Sequence, residues 1–265
     1  MKENLKRWNE TTPIHAKSKD YDLENFLRGK NSLHTIELEG LKDIKGKSLL
    51  HLQCQFGMDT LSWARLGASK VVGVDYSDTA INLAKSINDK LKLPAEFICS
   101  NIYDLTKKLN EKFDIVFTSY GVLCWLPDIE EWAKIISYFL KKGGIFFITE
   151  FHPFTWIFDD EHPSELVYKY PYFFGKNPLH YSSAYTYTEQ EKELVNIDSY
   201  NWQHTMGEII TALTVEGLSI EYMKEYPYTF YPQFPFMEKS GKDIWKFQDD
   251  KYNIPLIFSI KAKKN

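Results

Sequence analysis

The stretch "LLHLQCQFGMDTLSW" (residues 49–63) runs from an apolar segment through a short loop into helical periodicity. Such a unit cradles a ligand when its loop is glycine-rich, because glycine lets the backbone turn sharply and approach the ligand closely. Here the loop reads Gln53-Cys54-Gln55-Phe56-Gly57, with a single glycine. Side chains at 53 and 55 fit such a loop where φ is negative, and a Gln amide can both donate to and accept from a ligand. Gln53, Cys54, Gln55 and Gly57 are therefore candidate ligand contacts, although Cys54 also reads as a small buried filler. Eighteen residues after Gly57, "VVGVDYS" puts Asp75 at the end of a second apolar run, followed by Tyr76. An acid there can accept hydrogen bonds from both hydroxyls of a ribose, or it can cap the following helix. "CSNIYDL" offers Asn101 and Ile102 beside a flat base, or an ordinary loop, and "FTSYGVLCWLPD" sets Ser119 and Tyr120 at the mouth of a fourth run. His152, in "TEFHPF" just past a fifth run, is either a general base or a loop histidine positioned by Pro153. His51, inside the first run, reads as a core histidine.

These residues need a scaffold, and the pattern supplies one. Strand-like runs alternate with helical periodicity: Ser48–Leu52 then Thr60–Leu66, Lys70–Val74 then Thr79–Lys90, Ala95–Cys99, Phe113–Thr118 then Ile129–Leu140, and Ile145–Glu150. Short apolar strands separated by helices predict an α/β, doubly wound, mostly parallel sheet. In such sheets ligands bind beyond the carboxyl ends of the strands, where all the candidate loops lie. Thr205–Glu216 reads as a further helix, with Leu218–Glu225 and Leu256–Ala262 as final strands.

From Lys47 to Glu150, with "EGLSIEYMKEYPY" and "PLIFSIKAKK" as last strands, the chain resembles the class I S-adenosylmethionine-dependent methyltransferases. The resemblance implies a seven-stranded Rossmann-like sheet with S-adenosylmethionine as cofactor. It places the methionine moiety on Gly57 and its neighbours and the ribose on Asp75. The adenine falls beside Asn101 and Ile102, and the transferred methyl faces Ser119 and Tyr120. "LKKGGIFFITE" is similar to that family's turn and fifth strand. The first loop departs from the family's acid-x-Gly-x-Gly-x-Gly pattern: His51 stands for the acid, and Gln53 and Gln55 stand for two glycines. Methyl transfer is an in-line displacement, in which positioning and desolvation supply much of the rate. No metal is expected, and a base, with His152 and Tyr120 as candidates, only where the acceptor must lose a proton. The rival readings are an NAD-type oxidoreductase, opposed by the absence of G-x-G-x-x-G, and a non-catalytic S-adenosylmethionine- or S-adenosylhomocysteine-binding protein.

The remaining sequence frames this core. Residues 1–46 are expected to form an N-terminal helical cap, with short helices near Leu5–Trp8 and Asp22–Arg28. Residues 47–151 and 203–265 make the α/β core, and the proline-interrupted, aromatic 152–202 an insertion suited to a substrate lid. His180–Tyr187 and Val195–Trp202 look like an antiparallel pair. The insertion's aromatics can pack an acceptor or can form its own small core. A hydrophobic share of 43%, a charged share of 26% and a net charge of −4 predict a soluble domain with no nucleic-acid partner. The start, MKENLKRWNE, lacks a signal-peptide core, no apolar run reaches membrane-span length, and Cys54, Cys99 and Cys124 lack paired spacing. A cytoplasmic protein acting on a small-molecule acceptor is the expectation.

Overall fold

Apolar residues on successive positions of β1 (Ser48–Leu52) point to opposite faces: Leu49 packs with Ile115, Phe117 and Trp63, and Leu50 with Val72, Val116 and Phe146. A strand buried on both faces belongs inside a parallel sheet with helices on either side. The computed structural model describes residues 1–265 except 176, 189–191 and 242. The chain opens with α1 (Lys2–Lys17), α2 (Leu23–Leu27) and α3 (Thr35–Gly40). After β1 come α4 (Met58–Arg65), β2 (Lys70–Asp75), α5 (Asp78–Leu91), β3 (Ala95–Cys99), β4 (Phe113–Ser119), α6 (Ile129–Phe139) and β5 (Leu140–Phe151). The insertion holds β6 (Leu179–Ser182) and β7 (Asp198–Asn201), followed by α7 (Met206–Val215) and β8 (Leu218–Tyr226). Two short strands, β9 (Glu238–Lys239) and β10 (Trp245–Lys246), precede β11 (Ile257–Lys264).

The seven-stranded sheet has the order β3-β2-β1-β4-β5-β11-β8, with β11 antiparallel to both neighbours and the rest of the pairs parallel. Strand order reverses between β1 and β4, so the crevice beyond their carboxyl ends is where a ligand would sit. Helix starts match their caps: Ser77 Oγ accepts from Ala80 N–H, Asp128 from Glu131 N–H, and Thr205 with Glu208 closes a capping box.

Two expectations change in extent. The helix near Leu5–Trp8 is the 16-residue α1, whose buried positions are Asn4, Thr11, Thr12 and His15. Its inward face is polar, so no apolar stripe marks it in the sequence. The expected strands His180–Tyr187 and Val195–Trp202 shrink to β6 and β7, four residues each, paired antiparallel. The inward face of α1 holds this hairpin. Asn4 donates to Tyr200 O at 2.8 Å and accepts from Tyr200 N–H at 2.8 Å. Arg7 donates to the carbonyls of Ser183, Tyr185, Asn196 and Ile197, and Glu10 accepts from Val195 and Asn196. The same helix meets the start of α5, where Asn9 donates to Asp78 at 2.7 Å and accepts from Ser77 Oγ at 2.6 Å.

Candidate functional site

The loop after β1 is the floor of the crevice. Gln53, Gln55 and Gly57 all have positive φ, at 57°, 51° and 81°. The condition of negative φ, under which a side chain fits easily at 53 and 55, is not met: the two glutamines hold the left-handed backbone that glycine favours, with a Cβ that makes it costly. Gly57 is constrained twice, since a Cβ there would lie 2.5 Å from Phe97. Cys54 points down rather than into the crevice. Its sulfur packs by Gly73, where a Cβ would come within 2.9 Å of it, and burial raises its thiol pKa well above the ordinary value. The Cys54 thiol is thus buried against the sheet and held in its neutral form.

The glutamine side chains lie across the crevice floor. Gln53 Nε2 donates to Val122 O at 2.9 Å, spanning from the β1 loop to the β4 loop, while its Oε1 is buried without a partner. Gln55 Nε2 donates to Tyr21 Oη at 2.9 Å and to His15 Nδ1 at 3.1 Å. His15 is fully buried, hydrogen-bonded to Thr186 at 2.6 Å and stacked on Tyr21. Desolvation, then the Arg7 charge, lowers its pKa to about 4, so it is neutral at pH 7. Tyr21 and Tyr187 join hydroxyls beside it. The N-terminal segment and the insertion thus meet directly above the loop.

Asp75 closes the second strand as expected. One carboxylate oxygen accepts from Gln55 N–H and the other from Ser77 N–H, each at 2.8 Å. Burial raises its pKa, against the lowering by those backbone donors. Each oxygen has a second lone pair for an incoming hydroxyl. Tyr76 is partly exposed beside it. Asn101 Oδ1 accepts from Tyr103 N–H, leaving its Nδ2 as the group that can read a base. Ile102 departs from its expected place as a flank for that base: it is 4% exposed and packs in the core under α6.

The β4 end carries Ser119 and Tyr120. Ser119 Oγ donates to Asp59 Oδ2 at 3.3 Å, and Asp59 Oδ1 accepts from Ser32 Oγ at 2.6 Å. Tyr120 turns toward α3, its ring against His34 and Phe230 and its hydroxyl beside Glu37. The loop beyond is fixed by Glu150, whose carboxylate accepts from the backbone N–H groups of Gly121, Val122, Leu123 and Phe151. Sequence reading missed Glu37, Asp59 and Glu150. Glu37 had a signal, an acid on the apolar stripe formed by Leu33, Ile36 and Leu41.

His152 is corrected as a base facing the crevice. Its imidazole is buried, Nδ1 accepts from Phe154 N–H at 3.1 Å, and Nε2 lies 2.9 Å from Glu225 Oε1 on the edge strand. Desolvation lowers its pKa against the raising effect of Glu225. Nδ1 is thus engaged, and Nε2 faces Glu225 without a well-formed hydrogen bond. His51 lies in the core, bonded to Thr60 at 2.8 Å, with burial lowering its pKa to about 3. Beside the β4 loop is a cavity lined by Gly121, Cys124, Phe151, Trp156, Trp202 and His204. Trp125 packs edge-on against Trp8. Among the described residues no group of three or more His, Cys, Asp or Glu could hold a metal ion.

A methyltransferase-domain family model matches residues 50–148. This stretch runs from β1 through β5 and contains the loop, the strand-end acid and the β4 turn. Over that stretch the chain is similar to a methyltransferase domain. Over 107 residues it is 35% identical to the ubiquinone biosynthesis O-methyltransferase of Coxiella burnetii, covering 40% of this chain and 44% of that protein. The chain thus matches less than half the length of that curated relative. A candidate S-adenosylmethionine-dependent methyltransferase of Listeria monocytogenes superposes with a TM-score of 0.61 at 21% identity, over 87% of this chain and 96% of that one. The geranyl diphosphate C-methyltransferase of Streptomyces coelicolor, solved with S-adenosyl-L-homocysteine, gives 0.53 at 14% identity, over 94% and 85%. These two likenesses show the fold alone.

The residues present fit the cofactor this domain type uses. The strand-end acid has free lone pairs, and Gln53 Oε1, Glu37 Oε1 and the Tyr120 hydroxyl, near the ends of β1 and β4, are buried polar atoms without partners. Orphaned polar atoms at a topological switch point are what a polar ligand would satisfy.

Proposed function

We propose that this protein transfers a methyl group from S-adenosylmethionine to a small-molecule acceptor. The observation that carries the proposal is Asp75, a half-buried carboxylate at the carboxyl end of β2, hydrogen-bonded to the left-handed loop that follows β1. When bound, S-adenosylmethionine supplies an activated methyl group, and the chain's own task is to orient two reactants and exclude water. Asp75 would hold the ribose hydroxyls, Asn101 Nδ2 would read the base, and the β1 loop with Gln53 and Gln55 would bed the amino-acid tail. Glu150 keeps the β4 loop rigid through its four backbone bonds, which fixes where an acceptor can approach. The proposed acceptor pocket lies between Phe151, Trp156 and Trp202, where the cavity of about 20 Å³ would have to widen to admit an acceptor against its aromatic walls. The N-terminal segment and residues 152–202 would close over both ligands, since His15, Tyr21, Thr186 and Tyr187 meet above Gln55.

Calorimetric titration with S-adenosylmethionine, S-adenosylhomocysteine and NAD tests the cofactor assignment. The first two should bind, NAD should not, and Asp75→Ala should weaken binding about 10–100-fold, the value of a charged hydrogen-bond acceptor. Failure of both adenosyl ligands to bind the wild type refutes the reading.

A further inference from the structure

The first loop of this domain carries no acid: His51 is a neutral core residue, and the positions that follow are glutamines. A cofactor with an amino-acid tail nevertheless brings an α-ammonium to the β1–β4 crevice, and a buried cation needs a partner. Two acids stand there, Glu37 fully buried and Asp59 half-buried. Glu37, on α3, has no exposed surface; its Oε2 accepts from His34 N–H at 3.1 Å, and its Oε1 is unpartnered. Asp59, in the first turn of α4, holds Ser32 and Ser119. The two are joined through adjacent residues of the β4 end, because Ser119 bonds Asp59 and the Tyr120 hydroxyl lies beside Glu37, itself without a well-formed bond. Neither acid makes an ion pair among the described residues. Two neighbouring acids without a cation, beside an orphaned Glu37 Oε1 and an orphaned Tyr120 hydroxyl, form an incomplete arrangement.

Resting on the cofactor assignment above, we propose that Glu37 and Asp59, with the Tyr120 hydroxyl, form the receptor for the α-ammonium of the cofactor's amino-acid tail. This pair takes over the task that the first loop has lost. An ammonium has three donors, and Glu37 Oε1, an Asp59 oxygen and the Tyr120 oxygen are three acceptors from α3, α4 and β4. Cofactor binding would then tie α3 to the sheet.

The site also carries a protonic signature. Desolvation first, then the Asp59 charge, raises the Glu37 pKa to about 7, against the lowering by Tyr120. The ionisable groups around it are Asp59 on α4, Tyr120 at the end of β4, Tyr228 beyond β8, and His34, which burial keeps neutral. An arriving ammonium favours the carboxylate, so binding at neutral pH expels a proton.

The test is calorimetry on the full chain with S-adenosylhomocysteine and with 5′-methylthioadenosine, which lacks the amino-acid tail. Glu37→Gln and Asp59→Asn preserve shape, and thermal melts check their folding. Each should weaken S-adenosylhomocysteine about 10–100-fold and leave 5′-methylthioadenosine unchanged. At pH 7 the wild-type heat should vary with the ionisation enthalpy of the buffer, and Glu37→Gln should lose that variation. Equal weakening of both ligands, or no weakening of either, overturns the proposal while leaving the cofactor assignment standing. A wild type that binds neither ligand overturns both.

Discussion

Replacing Gln53 or Gln55 by glycine and by alanine separates backbone strain from side-chain contacts. Both variants remove the amide, so they differ only in the Cβ that must occupy left-handed backbone at φ 57° or 51°. That Cβ costs about 1–2 kcal/mol per residue, and glycine gives back about 0.5–1 kcal/mol through the entropy of the unfolded chain. The glycine variant should therefore be more stable than its alanine counterpart by about 0.5–1 kcal/mol at each site. The double-glycine protein should exceed the double-alanine one by about 1–2 kcal/mol, apart from coupling between near neighbours. Against the wild type, Gln53→Gly loses the bond to Val122 O, about 0.5–1.5 kcal/mol, but also removes a buried unpartnered oxygen that costs a similar amount. It should match or exceed wild-type stability. Urea unfolding followed by circular dichroism, with equal slopes across the set, reads the differences as midpoint shifts. Alanine variants as stable as glycine variants would refute the left-handed assignment, and with it the account of this loop as a glycine loop carrying glutamines.

Other outcomes follow from the same geometry. Because Glu37 is raised from its ordinary 4.5 to about 7, the wild type loses stability as pH rises through that window, the unfolded chain ionising first. Glu37→Gln lacks this loss, so its stability relative to wild type should improve by about 3 kcal/mol between pH 4.5 and 7, measured by urea unfolding across pH. Glu150→Gln can offer only one acceptor oxygen to four backbone donors and should cost about 2–4 kcal/mol; an unchanged melting temperature would contradict the bonding described. Thr205→Ala removes the α7 cap and should cost about 1 kcal/mol without altering S-adenosylhomocysteine affinity, since α7 lies away from the β1–β4 crevice.

The core was readable because its strands announce themselves. Ser48–Leu52 and Ala95–Cys99 coincide with the expected runs, and the other expected core strands and helices differ mainly at their ends. Doubly buried strands leave near-continuous apolar stretches, and Thr205 and Gly217 bracket α7 by local cap chemistry. Asp75 was legible for the same reason, as a charge ending an apolar run. The loop conformation was not: nothing local distinguishes a glutamine at positive φ from one at negative φ, and the long-range contacts to Val122, Tyr21 and His15 decide it. His152 sits where the pattern put it, but its ring direction depends on Glu225, more than seventy residues away. α1 was shortened for a third reason, because Asn4, Arg7, Glu10 and His15 carry its contacts and polar contacts leave no hydrophobic period.

The grip of α1 on β7 also sets an order of events during synthesis. A two-stranded hairpin is marginal alone, and so is a 16-residue helix with Pro13 inside it. Each completes the other, yet the ribosome makes Asn4 nearly two hundred residues before Tyr200. At translation rates of about 5–20 residues per second, the helix waits roughly 10–40 s for its partner. In that interval strands β1 to β5 can already pair, since their contacts need nothing beyond Phe151. Helix α1, made long before β7, is therefore among the last of these elements to reach its final place.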